Sequence, residues 1–212
     1  MSSELSSELD RQRQVARLLE SATQAVAERG YLATRVNDVL AAAEVPRAVF
    51  EEHFDDLRGC VLAAHDLALE RLVSSLLEAC AGQDVPAEKL AAAVAALVDF
   101  SLRSPAEARL LMLDGMAVDP VLAAHVLGAN EVLVELLRSR RADLSEAADP
   151  LPDLTESVLV GAITSLVGEK LMSGDADGLR RLEPELVELA LTPYVGLQRA
   201  RQMALDRSTQ TT

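Results

Sequence analysis

Aromatic residues are nearly missing from this 212-residue chain, which has three Phe, two Tyr and no Trp, 2% of the whole. A core without large rings must be filled by aliphatic side chains, and half of the residues are hydrophobic, chiefly Ala, Leu and Val. Gly (10) and Pro (8) are also scarce, and they gather between long stretches whose apolar positions recur at three and four residues. That pattern argues against a sheet-rich fold and for an all-α one. No apolar run reaches the roughly 20 residues needed to cross a bilayer, and the opening dozen residues lack an apolar signal core. A cytoplasmic protein with no membrane partner is expected. Cys60 and Cys80 fall on one expected helix, about 30 Å apart, too far to pair. His53, His65 and His125 are scattered, with no Cys or His neighbour at ligand spacing, so neither a metal site nor a cofactor is expected. Positive charge is short as well. A net charge of −14 repels polyanions in general, so any nucleic-acid contact depends on where the cations sit.

What the chain does have is helical punctuation. From Arg11 to Arg29, Val15, Leu18, Leu19, Ala22 and Val26 keep helical spacing, and Gly30 follows as a stop. A short helix is expected over about 36–43, after Thr34 and with Asp38 in its first turn. Glu44-Val45-Pro46 interrupts it, and Pro46 suits the first position of a third helix over 46–53. A long amphipathic helix over about 58–81 is able to join two domains. Further helices are expected at about 86–103, 105–116, 119–141, 153–173 and 178–205, nine in all. This divides the chain into a module over 11–57, a larger domain over 58–205, and flexible tails at 1–10 and 206–212.

Three short helices, the second and third joined by a tight turn, match the helix-turn-helix device, whose later helix enters the major groove. The wording sharpens this. Ala22, Ala25, Gly30-Tyr31, Ala33-Thr34, Val36, Asp38-Val39, Ala43, Val45 and His53-Phe54 resemble the N-terminal domain of the TetR family of transcriptional regulators. The resemblance implies a three-helix DNA-binding domain, with Tyr31 and Phe54 in its small core, followed by a larger helical domain that dimerises and holds a small ligand. It implies operator contacts from Arg35, Arg47, Ala48, Val49, His53 and Arg58. The family usually has Ser, Gly, Thr, Tyr and Lys where this chain has Pro46, Ala48, Val49, Glu51 and Leu57, and the Tyr and Lys positions commonly meet phosphate. Residues 1–58 carry seven arginines against eleven acids. Arg35 and Arg47 nevertheless fall where the family meets DNA, and an arginine fork suits phosphate or guanine.

For the larger domain the resemblance implies a homodimer through its last two long helices. Leu159, Gly161, Ser165, Gly168, Leu186 and Leu189 are the candidate contacts, because Gly161 and Gly168 lie two turns apart and small residues admit a second helix. It also implies a pocket among the middle helices for a small, mainly apolar ligand, with Leu69, Leu97, Phe100, Met112, Met116 and Leu166 as candidate walls and His65 or Arg109 as polar anchors. Catalysis is not expected. The chain has no Glu-x-x-His pair, phosphate-binding glycine loop or nucleophile elbow. The expected function is a ligand-responsive repressor. The alternative is a TetR-like dimer that has lost DNA affinity through its acidic third helix and acts through a ligand or protein partner.

Overall fold

The computed structural model describes residues 2–112, 119–146 and 150–210, and among them there is no strand. Helices α1 (Ser2–Arg29), α2 (Val36–Ala43) and α3 (Arg47–His53) form the small module, with a 3-10 turn at Tyr31–Ala33 between the first two. Helix α4 (Leu57–Ala81) leads to α5 (Pro86–Arg103), α6 (Pro105–Met112), α7 (Pro120–Arg138), α8 (Arg141–Leu144), α9 (Thr155–Ser173), α10 (Ala176–Val195) and α11 (Leu197–Gln210).

The helix starts follow side-chain chemistry. Carboxylates of Asp56, Asp119 and Asp175 accept the free amides at the heads of α4, α7 and α10, from Gly59 (2.8 Å), Val121 (2.8 Å) and Gly178 (2.7 Å). A Cβ at Gly178 would lie 1.9 Å from the Asp175 carboxylate, so a larger residue there would have to displace this cap.

Four sequence expectations change. Helix α1 begins at Ser2 and α11 runs to Gln210, so much of the segments read as tails continues the adjoining helices; neither Pro nor Gly interrupts residues 2–10 or 206–210. The expected helix 178–205 is split, since Gly196 adopts φ +80° and ends α10. With the short α8, eleven α-helices replace the expected nine among the described residues. Pro46 caps α3 from outside rather than opening it.

Packing joins the elements into one body. Leu18, Ala22, Val39, Phe50 and Cys60 form the small core, with Val49 and Phe54 against it. Val26, Val61, Ala64, Leu110 and Leu122, with Tyr31, seal the junction to the larger domain. The main core centres on α5 and α10, around Leu72, Val98, Phe100, Leu186 and Leu191. Beneath α8, the fully buried Glu156 carboxylate receives hydrogen bonds from Arg141 Nε (2.8 Å) and the Tyr194 hydroxyl (2.9 Å). Arg141 also donates to the Leu151 and Pro152 carbonyls, which ties the stretch before α9 to α8 and α10.

One helix among the described residues, α7, is long and apolar enough to cross a membrane by length and composition, which corrects the expectation that no such run exists. It packs against α9 and α4.

Candidate DNA-reading module and ligand cavity

The turn between α2 and α3 is made by Glu44, whose left-handed backbone (φ 52°) lets the Val45 amide reach back to the Leu40 carbonyl at 3.3 Å. A side chain in that conformation costs roughly 1–2 kcal/mol. Thr34 pins the other approach, its buried hydroxyl donating to the Gly30 (2.9 Å) and Ala25 (3.3 Å) carbonyls. Helix α3 presents Arg47, Ala48, Glu51, Glu52 and His53 outward. Val49 is half-buried and packs against the small core.

The cations of this surface are engaged. Arg35 donates to the Thr34 carbonyl at 3.1 Å and also to that of Leu32, while its own amide is held by Asp38 at 3.0 Å. Arg47 bridges Asn37 on α2 and Glu51 on its own helix, the latter at 3.4 Å. Arg58 lies 3.6 Å from both Asp56 and Asp119. These are exposed or half-exposed pairs of small net worth, readily exchanged for a phosphate. Phe50, absent from the expected core, supplies the buried ring of the module, 5.5 Å from Phe54 centroid to centroid. Tyr31 sits at the junction instead.

A cavity of about 400 Å³ opens between α4, α5, α7, α8 and α9, within the size range of small-molecule sites. Its walls are leucines and other aliphatic residues, among them Leu76, Leu90, Leu133, Leu137 and Ile163, and Lys89, Arg140 and Asp143 bring charge to the lining. Burial raises the Cys80 thiol above its usual range, opposed by Lys89 and Arg140 beside it. Burial alone pushes the Cys60 thiol up to about 12, so that thiol is inert packing.

Of the expected pocket residues only Leu97 lines this cavity. Leu69, Phe100 and Met112 belong to the packed core, and Leu166 is turned outward. Met116 lies outside the described residues. Arg109 is structural: from α6 it donates to the Ala27 carbonyl of α1 (3.4 Å) and the Leu171 carbonyl of α9 (2.7 Å), bracing the small module against the large domain. His65 stands apart from the cavity, beside His125.

The expected dimer contacts divide in the same way. Leu159, Gly168 and Leu186 are buried within the chain. Gly161, Ser165 and Leu189 are exposed, and nothing stands within 4 Å of a Cβ built on Gly161. Gly161 and Ser165 continue a stripe on α9 with Leu154 (70% exposed), Val158 (62%) and Met172 (66%), spaced by three, four and seven. Leu154, Val158 and Met172 thus leave apolar side chains uncovered along one face.

No protein-family model matches the sequence. Over 64 residues, 29% of this chain, it is 44% identical to the helix-turn-helix-type transcriptional repressor DhaR of Mycobacterium sp. strain GP1. That match spans about a third (32%) of the repressor's length. The fold is similar to that of the transcriptional regulator FadR from Bacillus subtilis in complex with stearoyl-CoA, with a TM-score of 0.72 at 17% identity, covering 84% of this chain and 98% of that one. A regulatory protein of the TetR family from Rhodococcus RHA1 aligns with a TM-score of 0.65 at 19% identity, over 86% and 97% of the two chains. AibR, in complex with isovaleryl coenzyme A and operator DNA, aligns with a TM-score of 0.68 at 16% identity, over 85% and 100%. The chain has the fold of the TetR-family transcriptional regulators across most of its length.

Proposed function

We propose that this protein is a TetR-type transcriptional repressor that binds operator DNA as a homodimer and is released by an amphipathic small molecule. The observation that carries this reading is the continuity of α4, whose first turn packs in the small core and whose last turns wall the leucine-lined cavity. The apolar lining suits an acyl chain, and Lys89 and Arg140, against the single acid Asp143, offer net positive charge to an anionic group. The acyl-CoA complexes of the FadR and AibR structures support that ligand class.

The test is a titration of the duplex from upstream of the protein's own gene at several salt concentrations, with and without saturated acyl-CoAs of increasing chain length. Specific binding relieved by one range of chain lengths is expected. If wild type binds that duplex no better than a scrambled one at low salt, the repressor reading falls and the partner-binding alternative replaces it.

The two surfaces can be tested separately. Replacing Glu51 with Tyr (E51Y) removes a carboxylate from the DNA-facing helix and leaves Arg47 with Asn37 as its remaining partner. Salt-titrated binding should tighten, and the slope of log affinity against log salt should steepen by roughly 0.9 for each further phosphate neutralised. An unchanged slope would mean α3 does not face the backbone. Val158→Arg places a charge in the middle of the α9 stripe, and the protein should sediment as a monomer at concentrations where wild type is a dimer. A variant that stays dimeric would move the interface elsewhere.

A further inference from the structure

We infer that His65, Asp66 and His125 form a binding site for a divalent cation of the zinc class, built between α4 and α7. Their candidate ligand atoms, one from each residue, all lie within 4.8 Å of one another. The sequence conceals the site, because about sixty residues separate the two histidines.

The observation that points to a ligand is the state of His65. Its ring is 3% exposed and neither Nδ1 nor Nε2 has a hydrogen-bond partner. Leaving a buried polar group unpaired costs roughly 1–3 kcal/mol, and folded proteins rarely tolerate it without a use. The ring meets His125 edge-on at 4.9 Å between centroids, and His125 Nε2 lies 2.7 Å from Asp66 Oδ1. A cavity of about 10 Å³, at the lower limit for a single water, adjoins both imidazoles; its other walls are Val26, Tyr31, Val61, Leu110, Leu122 and Val126, and Asp66 stands outside it.

Two imidazoles and a carboxylate are a donor set suited to Zn²⁺ and its first-row neighbours. Bonds of about 2.0–2.1 Å put tetrahedral ligands about 3.4 Å apart, so the present spacing needs only a modest closure. Asp66 is largely exposed and His125 half-buried, and rotation of their side chains provides that movement without disturbing the packed ring of His65. A metal ligand must be a neutral imidazole with a free ring nitrogen, and both nitrogens of His65 are without a hydrogen-bond partner. Three protein donors leave a fourth position for water. None of these residues lines the larger cavity or lies on α3, so the site stands whether or not the chain binds an acyl ligand or DNA.

The experiment uses the full, untagged chain stripped with a chelator, titrated calorimetrically with Zn²⁺ and followed by visible absorption with Co²⁺. One ion per chain is expected, with the intense d–d bands of a four-coordinate centre, and Zn²⁺ should raise the melting temperature. Loss of an outer partner of a metal ligand alone weakens binding roughly 10–100-fold, so His125→Ala and Asp66→Asn should each weaken Zn²⁺ by about 100-fold or more. These two positions carry the test because their side chains reach solvent, and circular dichroism would verify that both variants fold as wild type does. His65→Asn adds a buried-position check. Absence of a tight ion in wild type, or equal affinity in the His125→Ala and Asp66→Asn variants, overturns the assignment.

Discussion

Glu156→Ala should destabilise the protein by about 3 kcal/mol. Removing one partner of a buried ion pair typically costs about 3–5 kcal/mol, and the low end applies because Arg141 keeps some access to water. For a chain of this size the melting temperature should fall by roughly 6–12 °C. Glu156→Gln, which can still accept from Tyr194, should cost less, about 1–2 kcal/mol. Acidity should reproduce part of the effect. Burial is the largest single influence on this carboxyl and raises it, but the hydrogen bonds from Arg141 and Tyr194 together with the Arg141 charge outweigh it and hold the group below the usual glutamate range. Asp153, 3.7 Å from Arg141, is the other acid facing the cluster. A carboxyl depressed in the folded state contributes stability that is present above its unfolded value and lost as pH falls through its folded value. Chemical denaturation of wild type should therefore weaken as the pH drops below the ordinary glutamate range, and the Glu156→Gln variant should follow a flatter curve. Identical curves would show that folding leaves the Glu156 carboxyl at its unfolded value.

Ala93→Trp should abolish ligand binding while sparing DNA binding. Ala93 lines the cavity from α5, and an indole there occupies space that an acyl chain would need. A loss of at least about 100-fold in affinity is expected, equivalent to about 2.7 kcal/mol. The operator complex of this variant should persist at acyl-CoA concentrations that dissociate the wild-type complex. If relief survives the substitution, the ligand sits outside this cavity. If the variant no longer binds operator at all, the indole has displaced α4 instead, which melting and circular dichroism would reveal.

The helical architecture is legible in the sequence because it rests on spacing and punctuation. Gly30, Pro105 and Asp119-Pro120 break the apolar period where helices end, and a chain so poor in rings has few other ways to build a core. The division at Gly196 is less visible, since nothing in the sequence around it shows that the backbone takes a positive φ. The small module is legible in its three helices, but its core is less so: Phe50, one turn before Phe54, is buried there, while Tyr31 sits at the junction. The cavity is not legible in the same way. A leucine that fills a core and one that faces empty space have the same helical phase, so Phe100 and Leu76 look alike until the helices are assembled. The better signal is chemical: Lys89, one of only two lysines in the chain, and Arg140, beside the leucine pairs Leu76-Leu77 and Leu136-Leu137. Glu156 carries a signal of the same kind, an acid standing in phase with Leu159 and Ile163. His65 and His125 carry none, because only the packing of α4 on α7 makes them neighbours.

Helix α4 holds Cys60 in the small core near one end and Cys80 in the cavity wall near the other, twenty residues and about 30 Å apart. Over that length a tilt of about 5° displaces one end by roughly 2.5 Å relative to the other. In the proposed two-fold dimer the two arms would swing in opposite senses, so the two α3 helices would separate or converge by about 5 Å, against the roughly 34 Å spacing of successive major grooves on one face of DNA. On the proposed function, a ligand need not unfold or even contact α3 to release the operator. Changing the gauge of a two-pronged caliper by about a seventh is enough to put both prongs out of register at once.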